Sequence, residues 1–337
     1  MPALAQSAVR PSADFAACSG CGLCLLVCPV WRRTHDLGLS PLGRAKALQY
    51  GVHAADIGAS VESCTLCAAC EPVCPEEIAM VALTLDLRRR LRQAAAAPAA
   101  LARMGETSPP TPMPPASAAA VLLLPDRALR ERPEVLARVS TLLGGASAIA
   151  LGADDGADIA LALETGTPVP AARLERFLQR LRRAAMIVAA DGLLLRHLRQ
   201  WLPQAKIVTL GEALSRLPAV RRGLRASDLY VIEARAYHAD YQRLVKYYDG
   251  LRQAAACAFN LDLQRIAIPA AARSLPHVLG TATAADVMDD STQVRWILQG
   301  RKLARIVVES IEDAAAFERA SSLPVVHLAD LADDGTS

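Results

Sequence analysis

Aromatic residues are scarce in this chain, at 4% of 337 residues, and histidines number only six. Few aromatics leave little with which to stack on nucleic-acid bases, and a formal net charge of +3 is no electrostatic footprint for one; no nucleic-acid partner is expected. The histidines are scattered. Only His238 lies beside other polar side chains, Asp240 and Tyr241, and without a companion nucleophile it reads as a surface or capping residue. No Gly-x-Gly-x-x-Gly and no Walker-type phosphate loop occurs, so no nucleotide or flavin site is expected; Gly144-Gly145 reads as a helix C-cap. Long apolar runs are missing too. Val121–Leu124 and Ala184–Ala190 are strand-sized, which argues against a transmembrane segment. Met1–Arg10 carries neither a signal-peptide core nor twin arginines, which predicts a reducing, cytoplasmic location.

Cysteine is where the chain is rich. Eight of its nine cysteines fall into two copies of one eleven-residue phrase: Cys18, Cys21, Cys24 and Cys28 before Pro29, then Cys64, Cys67, Cys70 and Cys74 before Pro75. In each copy three closely spaced cysteines can turn their sulfurs into one cavity, while the Cys-Pro step directs the fourth elsewhere. This is the bacterial two-cluster ferredoxin run, in which the fourth cysteine ligates the other cluster. It predicts two [4Fe–4S] clusters, one on Cys18, Cys21, Cys24 and Cys74, the other on Cys64, Cys67, Cys70 and Cys28. Zinc would want paired cysteines without a third close one, and a disulfide framework suits short secreted chains.

The rest divides by composition. After a loose lead-in over 1–14, residues 15–93 read as a helical cluster domain: Ser40 caps a helix with Pro41 in its first turn, a second helix runs through Ile57–Ser63, and an exit helix covers Ile78–Arg92. Arg88, Arg89, Arg90 and Arg92 read as a solvated helix end, and Arg32, Arg33, Arg44 and Lys46 likewise as surface charge. Residues 94–119, rich in Ala and Pro, read as a semi-rigid linker. Beyond it, strands near 121–124, 146–151, 185–190 and 206–210 alternate with helices near 133–143, 171–183, 193–201 and 212–217. The cycle restarts with strands near 229–233, 264–268, 305–309 and 325–329 and helices near 240–256, 291–303 and 312–320. The expected fold class is therefore α+β multidomain: an N-terminal α-helical two-cluster ferredoxin-like domain followed by two α/β repeats with parallel sheets, over 120–220 and 226–331.

Taken with Leu42-Gly43-Arg44 between the cysteine phrases, this layout resembles the family formed by the iron–sulfur components of glycolate oxidase, anaerobic glycerol-3-phosphate dehydrogenase, the lactate-utilisation system and heterodisulfide reductase. In that family two cysteine-rich (CCG) α/β domains follow the cluster domain. Here the corresponding loops, Gly152–Gly156 and Ala270–Arg273, hold no cysteine, and neither does Glu233–Arg243. The repeats are thus expected to be cysteine-depleted and metal-free. Cys257, the last cysteine, reads as a small buried hydrophobe on an Ala-rich helix. Asp154, Asp155 and Asp158 read as a turn rather than a cation site.

The resemblance implies a non-catalytic electron-transfer component of an oxidoreductase complex, whose protein redox partners are a flavoprotein dehydrogenase or heterodisulfide-reductase-like subunits. No residue is expected to be catalytic. The location is cytoplasmic, or peripheral at the inner face of the membrane through a partner. The competing expectation is an assembly or interaction protein whose clusters are structural or redox-sensing.

Overall fold

The protein is described from a computed structural model, which covers residues 14–93, 121–144, 149–151, 154–271, 273–282 and 290–332. The lead-in before residue 14, the linker over 94–119 and the expected C-cap at Gly145 lie outside the described residues.

The cysteine-bearing region is helical, as expected: α1 (Leu23–Val27), α2 (Pro29–Thr34), α3 (Pro41–Gln49), α4 (Gly58–Ser63) and α5 (Met80–Gln93). The start of α3 follows from its sequence. Ser40 Oγ accepts the Gly43 N–H at 3.0 Å, and Pro41 occupies the first turn, where its missing N–H is not needed.

The first α/β half contains β1 (Val121–Leu124), α6 (Arg127–Arg130), α7 (Pro133–Gly144), β2 (Ile149–Leu151), α8 (Ala157–Thr165) and α9 (Ala171–Leu181). It continues with β3 (Met186–Ala189), α10 (Gly192–Trp201), β4 (Ile207–Thr209), α11 (Leu210–Ser215) and α12 (Pro218–Arg222). The second half holds β5 (Asp228–Val231), α13 (Ala234–Ala239), α14 (Tyr241–Ala255), β6 (Ala258–Phe259), α15 (Leu275–Leu279), α16 (Asp290–Leu298), β7 (Arg305–Val308), α17 (Ile311–Ala320) and β8 (Val325–His327). Both sheets are four-stranded and parallel with the same order, β2-β1-β3-β4 and β6-β5-β7-β8.

Strand alternation divides the core. Leu122, Leu124, Ile187 and Ala189 face α8, α9 and α10, while Leu229, Val231, Ile306 and Val308 face α16 and α17. The opposite faces, carrying Leu123, Val188, Tyr230 and Val307, belong to one shared core that α7, α11 and α14 also enter. The order is helices, sheet, common core, sheet, helices. Central strands buried on both faces explain why they read as continuous apolar runs.

One strand expectation fails. The outer partner of β5 is Ala258–Phe259, not 264–268. Arg265 is left-handed at φ 67°, and residues 266–268 fold back as a single antiparallel bridge, Leu261 to Ala267. The Asn260 side chain completes the edge by accepting from Ile232 N–H at 2.8 Å and donating to the Ile232 and Ile268 carbonyls, each at 3.0 Å. A side-chain amide thus takes over the rungs that a longer strand would supply.

The halves meet closely where α10 crosses α13. A Cβ on Gly192 would lie 2.6 Å from the Arg235 carbonyl carbon, so only glycine lets the two backbones approach. Gly192→Ala should destabilise the chain by about 1–3 kcal/mol through overpacking. Its Tm should fall by roughly 2–4 °C per kcal/mol. An unchanged Tm in calorimetry would show that the seam yields without cost.

Candidate functional site: the two cysteine phrases

Both cysteine loops use the same backbone. Residues two and four places after the first cysteine are left-handed in each copy: Gly20 (φ 85°) and Gly22 (φ 78°) in the first, Leu66 (φ 55°) and Ala68 (φ 59°) in the second. This conformation wraps the loop around a point and turns successive cysteines inward. Glycine adopts it freely in the first loop. Each non-glycine residue costs about 1–2 kcal/mol there, which the surroundings of the second loop must offset.

The sulfurs segregate electrostatically. Burial, and then the charges of Cys18, Cys21 and Cys74, push the Cys24 thiol up to about 11. Cys28, raised to about 11 mainly by burial, feels Cys64. Cys67, raised by burial to about 12, feels Cys28 and Cys64. Burial raises Cys70 well above its ordinary value, with Cys67, Cys64 and Cys28 adding to the shift. A cavity lined by Cys18, Cys21, Cys24 and Cys74 is closed by Pro41, Ile78 and Met80; Cys70 borders it as well, standing between the two groups. Cys21 is exposed and Cys28 is buried, so the first group lies nearer to solvent.

Cys64 differs from its neighbours. Burial pushes its thiol up, yet the Arg44 and Arg88 guanidiniums pull it below its ordinary value, helped by the Leu66 N–H and the Thr84 hydroxyl. Both arginines are 1% exposed, against the expectation of surface charge. Arg44 donates to Thr84 Oγ1 at 3.2 Å and to the Ser60 carbonyl. Arg88 donates to the carbonyls of Glu164 (2.6 Å), Cys64 (2.6 Å) and Val61 (3.3 Å). Lys46 is also turned inward, with Nζ 2.8 Å from the Cys18 carbonyl. Helical phase accounts for the error: Arg88 falls on the same face as Val81, Thr84 and Leu85, whereas Arg89 and Arg90 lie outside it and pair with Asp86 in solvent.

The second loop is clamped by the α/β halves. Arg235 Nε donates to the Thr65 carbonyl at 3.1 Å and Arg196 grips Glu71 with both terminal nitrogens. His238 is buried, not at the surface, and its Nδ1 lies 2.7 Å from the Cys67 carbonyl. Burial lowers its pKa to about 4, so the neutral ring donates from Nδ1. Leu193 packs on Leu66, Ala68, Val81 and Leu85, and Ile266 packs on Val27 and Ala69 beside Cys67 and Cys70.

Does this donor set suit [4Fe–4S] clusters? Two buried guanidiniums face the second group with no carboxylate within ion-pair distance of either, among the described residues, and Arg44 Nε has no hydrogen-bond partner. A buried, uncompensated positive charge is costly; an anionic cluster–thiolate assembly supplies the missing negative charge. Among the described residues no three His, Cys, Asp or Glu converge as they would on a single metal ion. The residues fit the group.

A second place where α/β folds bind ligands is the crevice at the carboxyl ends of parallel strands. Here it is filled. Glu309, after β7, accepts from Tyr230 Oη (2.7 Å), Tyr248 Oη (2.6 Å) and the Glu233 N–H (2.9 Å), and Gly211 leaves it room. The cavity left among Asp126, Thr209, Glu233, Glu309, Ser310 and His327 is about 10 Å³, room for one water at most. Burial raises Asp126 to about 7, Glu233 to about 8, Glu309 to about 7 and Asp313 to about 7. The Asp154 loop is likewise self-contained, with Asp154 and Asp158 both held by Arg173. Cys257 is buried as expected, but it follows the end of α14 instead of lying on the helix.

Two outcomes follow from these charges. Arg88→Ala strands buried carbonyls at Val61, Cys64 and Glu164, and should cost about 3 kcal/mol or more in denaturant unfolding. A loss below about 1 kcal/mol would mean that water replaces the guanidinium. Asp313 has a folded pKa raised above its unfolded value, so its contribution is complete below about pH 4 and vanishes as pH rises through about 7. Thermal stability should therefore decline between about pH 4 and pH 7 and level off above that. Asp313→Asn, which keeps the oxygen that accepts the Ala271 N–H at 2.9 Å, should flatten that decline. Parallel Tm–pH curves for the two proteins would contradict this assignment.

Comparison with known proteins places residues 14–78 in a match to the family model described as a 4Fe-4S dicluster domain. No curated protein and no solved structure matches the chain. No helix among the described residues is long and apolar enough to cross a membrane. The chain is an iron–sulfur protein whose [4Fe–4S]-binding region comprises both cysteine phrases.

Proposed function

We propose that the chain is an electron-transfer protein with two [4Fe–4S] clusters, one on Cys18, Cys21, Cys24 and Cys74 and the other on Cys64, Cys67, Cys70 and Cys28. It serves as the wire of a larger oxidoreductase, with a flavoprotein dehydrogenase or heterodisulfide-reductase-like subunits as partners. The observation that supports this reading is that Cys24 feels Cys18, Cys21 and Cys74, whereas Cys70 feels Cys64, Cys67 and Cys28, so that each set of interacting thiols includes one from the other phrase. A [4Fe–4S] cluster, when bound, supplies one-electron acceptance and release without proton transfer.

The chain's own residues do the rest. Cys28 is buried and Cys64, Cys67 and Cys70 are half-buried, which limits the access of water to the second group. Arg44 and Arg88 hold its negative charge, and Arg235 and His238 fix its loop through the Thr65 and Cys67 carbonyls. The exposed Cys21 gives the first group a short path to solvent. The crevice at the strand ends, with about 10 Å³ left in it, has no room for a metabolite, and in this reading any substrate oxidation falls to a partner. The α/β halves, at 120–220 and 226–331, act as the clamp and the docking body.

Anaerobically prepared protein should contain about eight iron and eight sulfide, bleach on reduction and recover on oxidation. Cys28→Ser should perturb the same spectroscopic centre as Cys64→Ser, and Cys74→Ser the same centre as Cys18→Ser. If Cys28→Ser and Cys18→Ser instead damage one common centre, the crossed ligation is wrong. Clusters that form but do not cycle would transfer the assignment to a structural or sensing role.

A further inference from the structure

A cavity of about 680 Å³ opens between the cluster region and the second α/β half. One wall is Leu26, Val27 and Arg32; the others are the loop from Leu261 to Arg265 and the end of α16 at Trp296. Three of its apolar side chains face water: Leu263 is 100% exposed, Leu26 59% and Trp296 40%. For side chains of this size, clustered beside one another, such exposure marks an interaction surface.

The rim is basic. Five arginines (Arg32, Arg252, Arg265, Arg295 and Arg301) border the groove or its continuation along α16, against Asp249 and Asp262. Asp249 serves both Arg252 and Arg265. Arg32, Arg295 and Arg301 have no carboxylate within ion-pair distance among the described residues. They are instead held by protein groups: Arg32 lies 3.7 Å over the Trp296 ring, Arg301 donates to the Phe259 carbonyl at 2.6 Å and Arg295 to the Ser291 carbonyl at 3.1 Å. The positive charges are thus fixed in place before any partner arrives.

The floor leads to the second thiol group. Val27 immediately precedes Cys28 and packs with Ala69 and Ile266, against which Cys67 and Cys70 also pack. A partner seated in the groove would be separated from those thiols by one layer of side chains. A cavity for a small molecule would enclose its ligand, whereas this one is open and carries a fully exposed leucine at its lip. An apolar centre with a charged rim is the layout of a transient protein interface.

We propose that this groove docks an acidic one-electron carrier protein, whose carboxylates meet the arginines and whose apolar patch meets Leu26, Leu263 and Trp296. This rests on the electron-transfer reading above and adds where electrons enter or leave at the second thiol group. One electron passes between carrier and chain, and no bond is made or broken.

The test uses the full chain with its clusters and a plant-type acidic [2Fe–2S] ferredoxin as probe. Oxidised ferredoxin is titrated by calorimetry, and the second-order rate of electron transfer from reduced ferredoxin is measured by stopped flow. Affinity and rate should both fall at least about tenfold between 20 and 300 mM salt, as for charge-steered association. Leu263→Asp and Arg295→Glu should each weaken both at least about fivefold, while Arg182→Glu, on the exposed end of α9, should not. Reduction by dithionite must remain complete in every variant, which separates the two hypotheses. Failure with dithionite overturns the electron-transfer reading. Full reduction with smaller effects of salt and of the two variants overturns the docking site. A dimer in light scattering that Leu263→Asp dissociates would also overturn it, by making a second copy of the chain the occupant.

Discussion

Two arginines buried beside one cysteine loop govern the organisation of this protein. Arg44 and Arg88 come from different helices, yet both act on Cys64. Two like charges in a dry interior repel, and neither has a carboxylate within ion-pair distance among the described residues; Cys64, with the Glu164 carboxylate acting on Arg88 from farther off, supplies the negative charge that offsets them. The loop, the helices α3 and α5 and the ligand set are therefore one electrostatic unit. Without the negative charge the arginines are costly; without the arginines the thiolates are.

The same bonds join the cluster region to the α/β halves. Arg88 also donates to the Glu164 carbonyl, and the Glu164 carboxylate holds Arg235 at 2.7 Å, which in turn donates to Thr65. This closes a ring through the first half, the second half and the second cysteine loop. Its bonds cross 76, 71 and 170 residues of sequence, so the ring forms only once all three parts are folded. The region of the cysteine phrases and the α/β halves then share stability, although composition divides them at the linker.

Much of this was legible in the sequence. The repeated cysteine phrase located the thiols, the alternation of apolar runs located seven of eight strands, and Ser40-Pro41 marked a helix start. These signals are local, because spacing, periodicity and capping need only a few neighbouring residues. What escaped depended on distant partners. Arg44, Arg88 and His238 look like surface residues until the carbonyls they serve, which lie from 16 to 171 residues away, fold against them. Helical phase placed Arg88 on the buried face of α5, a signal that its position within a run of arginines concealed. The β6 expectation failed because the side chain of Asn260 replaces strand rungs, which no periodicity reports.

The difference between the two cysteine loops has a physical consequence. The first, with Gly20 and Gly22, reaches its left-handed turns without strain and keeps Cys21 in solvent. The second makes the same turns with Leu66 and Ala68, at a cost of about 1–2 kcal/mol each. Those side chains also offset part of that cost by packing on Leu193, Val81 and Leu85. A glycine loop would be relaxed but would give the α/β halves nothing to hold. The non-glycine loop is strained alone and stable only when clamped. Identical backbones thus serve opposite ends: one thiol group is left near solvent, and the other is built into the interior, where its surroundings are set by the rest of the chain.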